Sequence, residues 1–172
     1  MHTDARTRIA AGQLELVRAL VGDGIAPEGF DGPRIQAAAG ALLQKRAHSV
    51  ARAWPDLARS LGSAFDERFA RYARSRPMLQ GGGPMLDGRR FAREIASAGP
   101  LADDAAVEVL AFDVRNRVKG DRVVARRNIF IGTAFLRRSL RFVIAIRLPA
   151  VGEWWIKVPL KFYMKHQAPR GV

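Results

Sequence analysis

Side chains able to do chemistry are scarce in this chain. It contains no cysteine, which excludes thiolate catalysis, disulfides and Cys-ligated metals. The three histidines, His2, His48 and His166, stand alone, with no second ligand at metal-binding spacing. Adjacent carboxylates occur as Asp66-Glu67 and Asp103-Asp104, and each pair opens an expected helix, where the dipole favours negative charge. Gly81-Gly82-Gly83 lacks the Gly-Lys-Ser/Thr ending of a phosphate-binding loop and follows no strand. Ser49, Ser60, Ser63, Ser75, Ser97 and Ser139 lie in no nucleophile-elbow context. No catalytic residue, metal site or cofactor is therefore expected. The chain reads as a binding module rather than an enzyme.

What remains is charge. The 172 residues carry a formal net charge of +13 from 29 basic residues, of which only Lys45, Lys119, Lys157, Lys161 and Lys165 are lysine. A GC-rich genome produces some of this Ala- and Arg-rich composition through codon bias, so the distribution is more telling than the total. Residues 1–100 hold 15 basic and 10 acidic residues, whereas residues 114–172 hold 14 basic residues against Asp121 and Glu153 alone. The positive field is concentrated in the last third, where it favours nucleic acid, anionic lipid or an acidic protein.

The elements that must present this charge follow from periodicity. The length suits one ordinary domain or two small ones. No apolar run reaches the ~18 residues of a membrane span, and the polar start, Met1-His2-Thr3-Asp4-Ala5-Arg6, has no signal-peptide core, so a cytoplasmic location is expected. Helical spacing predicts a first helix in 4–21 and a second from Asp31-Gly32-Pro33 to Trp54, where Pro55 disfavours further α geometry. A short helix over 56–61 ends at Gly62. The next helix, capped by Ser63 and stopped by Pro77, places Phe65, Phe69 and Tyr72 on one face. Residues 77–88, rich in Gly and Pro, read as a loose loop, followed by helices over 89–98 and about 105–117.

Beyond Gly120 the period changes from 3.6 to 2. Residues 122–126 predict a strand, residues 128–136 are ambiguous, and residues 139–162 predict a hairpin around Pro149-Ala150-Val151-Gly152. Leu140, Phe142, Ile144, Ile146 and Leu148 share one face of that hairpin with Trp154, Ile156, Val158, Leu160 and Phe162. Arg141, Val143, Ala145 and Arg147 share the other with Glu153, Trp155, Lys157 and Lys161. The apolar face is expected inside and the basic one in solvent. Pro159 marks the second strand as an edge. The expected fold is α+β: a helical domain of five to six helices over 1–100, then a small α+β domain over 101–172 with its hairpin at 139–162. Lys45, Arg46, Arg52, Arg59, Arg68, Arg71 and Arg74 are expected on solvated helix faces. The expected partner-binding residues are Arg138, Arg141, Arg147, Trp155, Lys157 and Lys161. The expected scaffold residues are Trp54, Pro55, Gly62, Phe65, Phe69 and Tyr72.

One stretch carries a resemblance. Leu42-Leu-x-Lys-Arg46, Trp54-Pro-Asp-Leu-Ala58, Leu61-Gly-x-x-Phe65, Phe69-x-x-Tyr-Ala73 and Pro77, followed by Asp87-Gly-x-x-Phe-Ala92, resemble the helical N-terminal domain of a bacterial family. That family was first described as DNA-binding. It includes partner proteins of multinuclear non-haem iron oxidative enzymes, of the methanobactin-biosynthesis type. The matching part covers roughly residues 34–96. The resemblance implies a helical domain followed by a small β domain that binds the leader of a ribosomally made precursor peptide. It implies that the protein sits against the iron enzyme, and it transfers no catalytic residue. The first 30 residues do not match that pattern, and the basic charge exceeds what the role needs. Two functions follow as expectations: a non-catalytic adaptor for a precursor peptide and an iron-dependent modifying enzyme, or a nucleic-acid-binding protein using its basic C-terminal surface.

Overall fold

A computed structural model describes residues 2–21, 24–76 and 81–160, with side chains from residue 6 onward. His166, Lys161, Pro77 and the tail beyond Met164 lie outside the described residues. Six α-helices and five strands are found among the described residues: α1 (His2–Val21), α2 (Gly32–Ala53), α3 (Pro55–Leu61), α4 (Phe65–Arg74), α5 (Gly83–Ala98), α6 (Asp103–Arg115), β1 (Asn116–Lys119), β2 (Arg122–Ala125), β3 (Phe130–Leu136), β4 (Arg141–Leu148) and β5 (Gly152–Pro159). The fold is α+β, with the helices first and the sheets after them.

The helical half is built by its punctuation. Asp31 accepts the Arg34 backbone N–H at 3.2 Å and so caps α2, with Pro33 in the first turn. The Trp54-Pro55 step ends α2, and Trp54 leaves helical geometry at φ −134° and ψ 66°. That turn drops the indole into the core, where it is 1% exposed. α3 ends at Gly62, whose φ of 54° and ψ of −134° lie where a side chain is strained. Ser63, the expected cap of the next helix, falls instead in a 3-10 turn over Gly62–Ala64 and makes no cap bond. Phe65, Phe69 and Tyr72 of α4 meet Phe91 of α5, with Phe69 and Phe91 edge-to-face at 5.2 Å.

Three features of this half differ from expectation. First, α5 begins at Gly83, so part of the expected loop is helix and Leu86 and Asp87 are buried within it. Pro84, read as a loop residue, occupies a first turn, where its missing N–H costs nothing. Second, Arg46 is not solvated. Its guanidinium makes two bonds to the Asp87 carboxylate, at 2.6 and 2.8 Å, with both side chains 9% exposed. It also donates to the Arg76 carbonyl at 2.8 Å, and the Tyr72 hydroxyl donates to Asp87 Oδ1 at 3.1 Å. Burial and the adjacent Asp87 carboxylate push the Tyr72 phenol up to about 12. Third, Gly88 is required by packing. A Cβ there would lie 2.1 Å from Trp54 Cδ1, while the indole N–H donates to the Met85 carbonyl at 3.2 Å. The Lys-Arg and Asp-Gly parts of the motif are thus one buried ion pair and one close helix approach.

α6 joins the halves. Ala105 and Phe112 face the helical core, where Phe112 lies 5.1 Å from Trp54. Leu110 and Val114 face the sheet. Glu108 caps α3, its carboxylate accepting the N–H groups of Asp56 at 3.2 Å and Leu57 at 2.8 Å. Burial raises the Glu108 carboxyl above its usual range despite these bonds. α6 was expected to run to about 117 but stops at Arg115. Residues 116–119 form β1, paired antiparallel with β2 around Gly120.

The second sheet has the order β3-β4-β5, antiparallel throughout. Its registers place Ile131, Ile146 and Trp154 in one row, Thr133, Ile144 and Ile156 in the next, and Phe135, Phe142 and Val158 in a third. This wholly uncharged face is the outer one: Ile131 is 65% exposed, Ile156 47% and Trp154 43%. The opposite face packs on α6 through Val143 and Ala145, both fully buried. The expected assignment of faces is therefore reversed. Small side chains let the helix approach: a Cβ on Gly132 would lie 2.7 Å from Leu110 Cδ1. Phe142 and Ile144, in place of Val143 and Ala145, would hold the helix away.

Candidate functional site

The predicted binding residues that the structure describes separate into two groups, with Arg141, Arg147, Trp155 and Lys157 on the α6 side of the sheet and Arg138 in the β3–β4 turn. Arg147 and Trp155 are used internally. The Arg147 Nε donates to the Arg126 carbonyl at 3.1 Å, and its guanidinium lies 3.8 Å from Glu153. Trp155 pairs with Ala145 and packs against the Leu110 and Val114 cluster, so the aromatic expected as a stacking platform is half-buried. Glu153 is held by the Arg115 guanidinium at 2.5 Å, and those hydrogen bonds keep its carboxyl below the usual range. Lys161 lies outside the described residues.

Arg138, Arg141 and Lys157 come together at the other end of the sheet. They border a cavity of 820 Å³ whose wall also includes Arg68 of α4, Arg137, the loop from Pro100 to Ala102 and the first residues of α6, Asp103 and Asp104. One element positions this corner. The Asp103 carboxylate, at the start of α6, accepts the backbone N–H of Arg138 at 3.2 Å and of Ser139 at 3.3 Å. The expected reading of Asp103 as a helix-dipole partner therefore captures only half of its role. It also fixes the β3–β4 turn, in which Leu140 holds φ at 47°.

Two further surfaces stand apart from these cations: an apolar face whose exposure was not foreseen, and a sheet edge of the kind that can accept an extended peptide. One is the outer sheet face described above. Its β4 and β5 residues were expected to share a face, whereas those of β3 were left ambiguous, and apolar content alone does not say which face a helix covers. The other is the edge of β3. From Phe130 to Leu136 this strand carries neither charge nor proline, and its outer side pairs with no strand among the described residues. β5, at the opposite edge, carries Glu153, Lys157 and Pro159, which blunt it. Among the described residues no cluster of three or more His, Cys, Asp or Glu side chains is arranged to hold a metal ion, and His48 lies on the exposed side of α2. No described helix is long and apolar enough to cross a membrane.

Fold and surface define a two-part α+β protein: a packed helical half presenting a thin sheet whose outer face is bare. The chain belongs to the bacterial family described as "SCO6045-like, C-terminal domain", whose sequence model matches residues 10–97, half of the chain. It is also 39% identical over 102 residues to a "UPF0276 protein" of Streptomyces avermitilis. That match takes in 59% of this chain and 20% of the relative, so the chain spans about a fifth of the relative's length. No solved structure matches.

Proposed function

We propose that the protein is a non-catalytic adaptor that presents a precursor peptide to an iron-dependent modifying enzyme. The observation that carries this reading is the outer face of the β3-β4-β5 sheet, which exposes Ile131, Phe135, Phe142, Trp154 and Ile156 with no charge among its rows. An exposed apolar face of this kind suits another protein surface and offers nothing to a phosphate. The unblunted edge of β3 suits an extended peptide, with main-chain hydrogen bonds supplying affinity and alternate side chains supplying selectivity. The relative's much longer chain fits a module that works beside a larger protein. The second reading, nucleic-acid binding, draws on the positive charge of residues 114–172.

Co-purification tests the adaptor reading. The chain is expressed together with a UPF0276-type protein and a candidate precursor peptide from the same genome. The wild-type chain is expected to retain the larger protein, and Trp154→Asp with Ile156→Asp to release it while keeping the circular dichroism of the wild type. Retention of neither the protein nor the peptide by folded wild-type chain overturns the reading. A gel shift at low salt that fades steeply as salt is added favours nucleic acid instead.

A further inference from the structure

We infer that the cavity at the Asp103 corner is a second binding site, one that takes an acidic stretch of polypeptide with an apolar side chain seated on its floor. Arg68, Arg137, Arg138, Arg141 and Lys157 converge on this cavity from α4, the β3–β4 turn, β4 and β5. None of the five has a carboxylate within ion-pair distance among the described residues, whereas Arg46, Arg76, Arg89, Arg115 and Arg147 all do. Like charges gathered in a cleft raise one another's potential, and an entering anion relieves it. Asp103, which accepts the N–H groups of Arg138 and Ser139, and Asp104 offset only two of these five charges, so the cavity keeps a net positive charge.

The rest of the lining selects among anions. Leu61, Ile95, Leu101 and Leu136 supply an aliphatic floor that a free phosphate would leave wet. Among the described residues no aromatic ring lines the cavity to offer nucleotide bases a stacking platform, and Asp104 stands on the wall against a phosphate backbone. A polypeptide supplies what fits: carboxylates spaced by whole residues for the rim and an apolar side chain for the floor. Arg141 and Lys157 share the α6 side of the sheet with Val143, opposite the bare face that carries the adaptor reading. Each surface can therefore fail its own test without the other.

Fluorescence anisotropy with the full chain tests the site. The probes are a labelled peptide with one leucine flanked by glutamates, its glutamine counterpart, its counterpart with serine for leucine, and labelled single-stranded and duplex oligonucleotides. The acidic leucine peptide is expected to bind most tightly, with each peptide counterpart weaker by about tenfold. The double variant Arg141→Glu, Lys157→Glu is expected to weaken it by at least that factor. The neutral pair Arg141→Gln, Lys157→Gln is expected to fall between, and Trp154→Asp to leave binding unchanged. Equal binding of acidic and glutamine peptides, or undiminished binding by a folded double variant, overturns the inference. So do oligonucleotides that outcompete the acidic peptide through the same two cations.

Discussion

The two halves of this molecule handle polarity in opposite ways. The helical half buries its large aromatics and also buries an ion pair, Arg46–Asp87, satisfied by Tyr72 and by the carbonyl of Arg76. The sheet half buries Val143 and Ala145 beneath α6 and leaves phenylalanine, isoleucine and tryptophan in solvent. A self-sufficient domain does the first. A surface awaiting a cover does the second, because apolar area left in water forfeits about 25 cal/mol per Å² that burial would recover. On the adaptor reading proposed above, the helical half is the scaffold and the sheet half meets the partner.

This contrast can be broken most directly at the sheet. Val143→Asp places an unpaired carboxylate beneath α6 and is expected to cost more than about 4 kcal/mol in urea denaturation. Ile131→Asp, on the outer face of β3, is expected to cost less than about 1 kcal/mol. Similar costs at the two positions would show that α6 covers both faces alike. In the helical half, Asp87→Ala strands the Arg46 guanidinium at a site that is 9% exposed. It is expected to lose about 3–5 kcal/mol. A loss under about 1 kcal/mol would place that pair in effective contact with water.

The smallest effect is one of titration. Tyr72 is raised to about 12, so the folded chain keeps its phenolic proton where the unfolded chain, with a phenol near 10.0, has lost it. The stability this contributes is full below pH 10 and is lost as pH climbs from there through about 12. Ultraviolet difference titration should show one tyrosine ionising late, and Tyr72→Phe should remove that step and leave Tyr163. Both tyrosines ionising together near pH 10 would show that the hydroxyl is not held by Asp87.

Much of the helical half could be read from sequence because its boundaries are chemical. Trp54-Pro55, Leu61-Gly62 and the Phe65, Phe69, Tyr72 spacing each act within a turn or two of chain, and the structure uses each as expected. What escaped reading depended on contacts distant in sequence. Arg46 meets Asp87 across 41 residues, and without that partner an arginine on a helix reads as solvated. Gly83-Pro84 reads equally as a loop or as the start of a helix until the depth of Leu86 decides. The sheet shows the limit most clearly. Period-2 alternation sorted the residues of β4 and β5 correctly into two faces but left β3 ambiguous, and the count of apolar side chains then chose the wrong face for the interior. That choice was made by α6, whose Leu110 needs the flatness of Gly132 and Ala145. For the candidate site, residue type found the cations but not the Asp103 clamp that gathers three of them at one corner.

α6 also has a consequence for where the chain can be divided. The family match ends at residue 97, just ahead of this helix, yet Phe112 fills space beside Trp54 and Glu108 closes the start of α3. Cutting the chain there would open the helical core and leave two amides of α3 uncapped. The same cut would remove the surface against which the sheet folds. One helix thus belongs to two cooperative units at once, and heating the intact chain should melt both in a single transition.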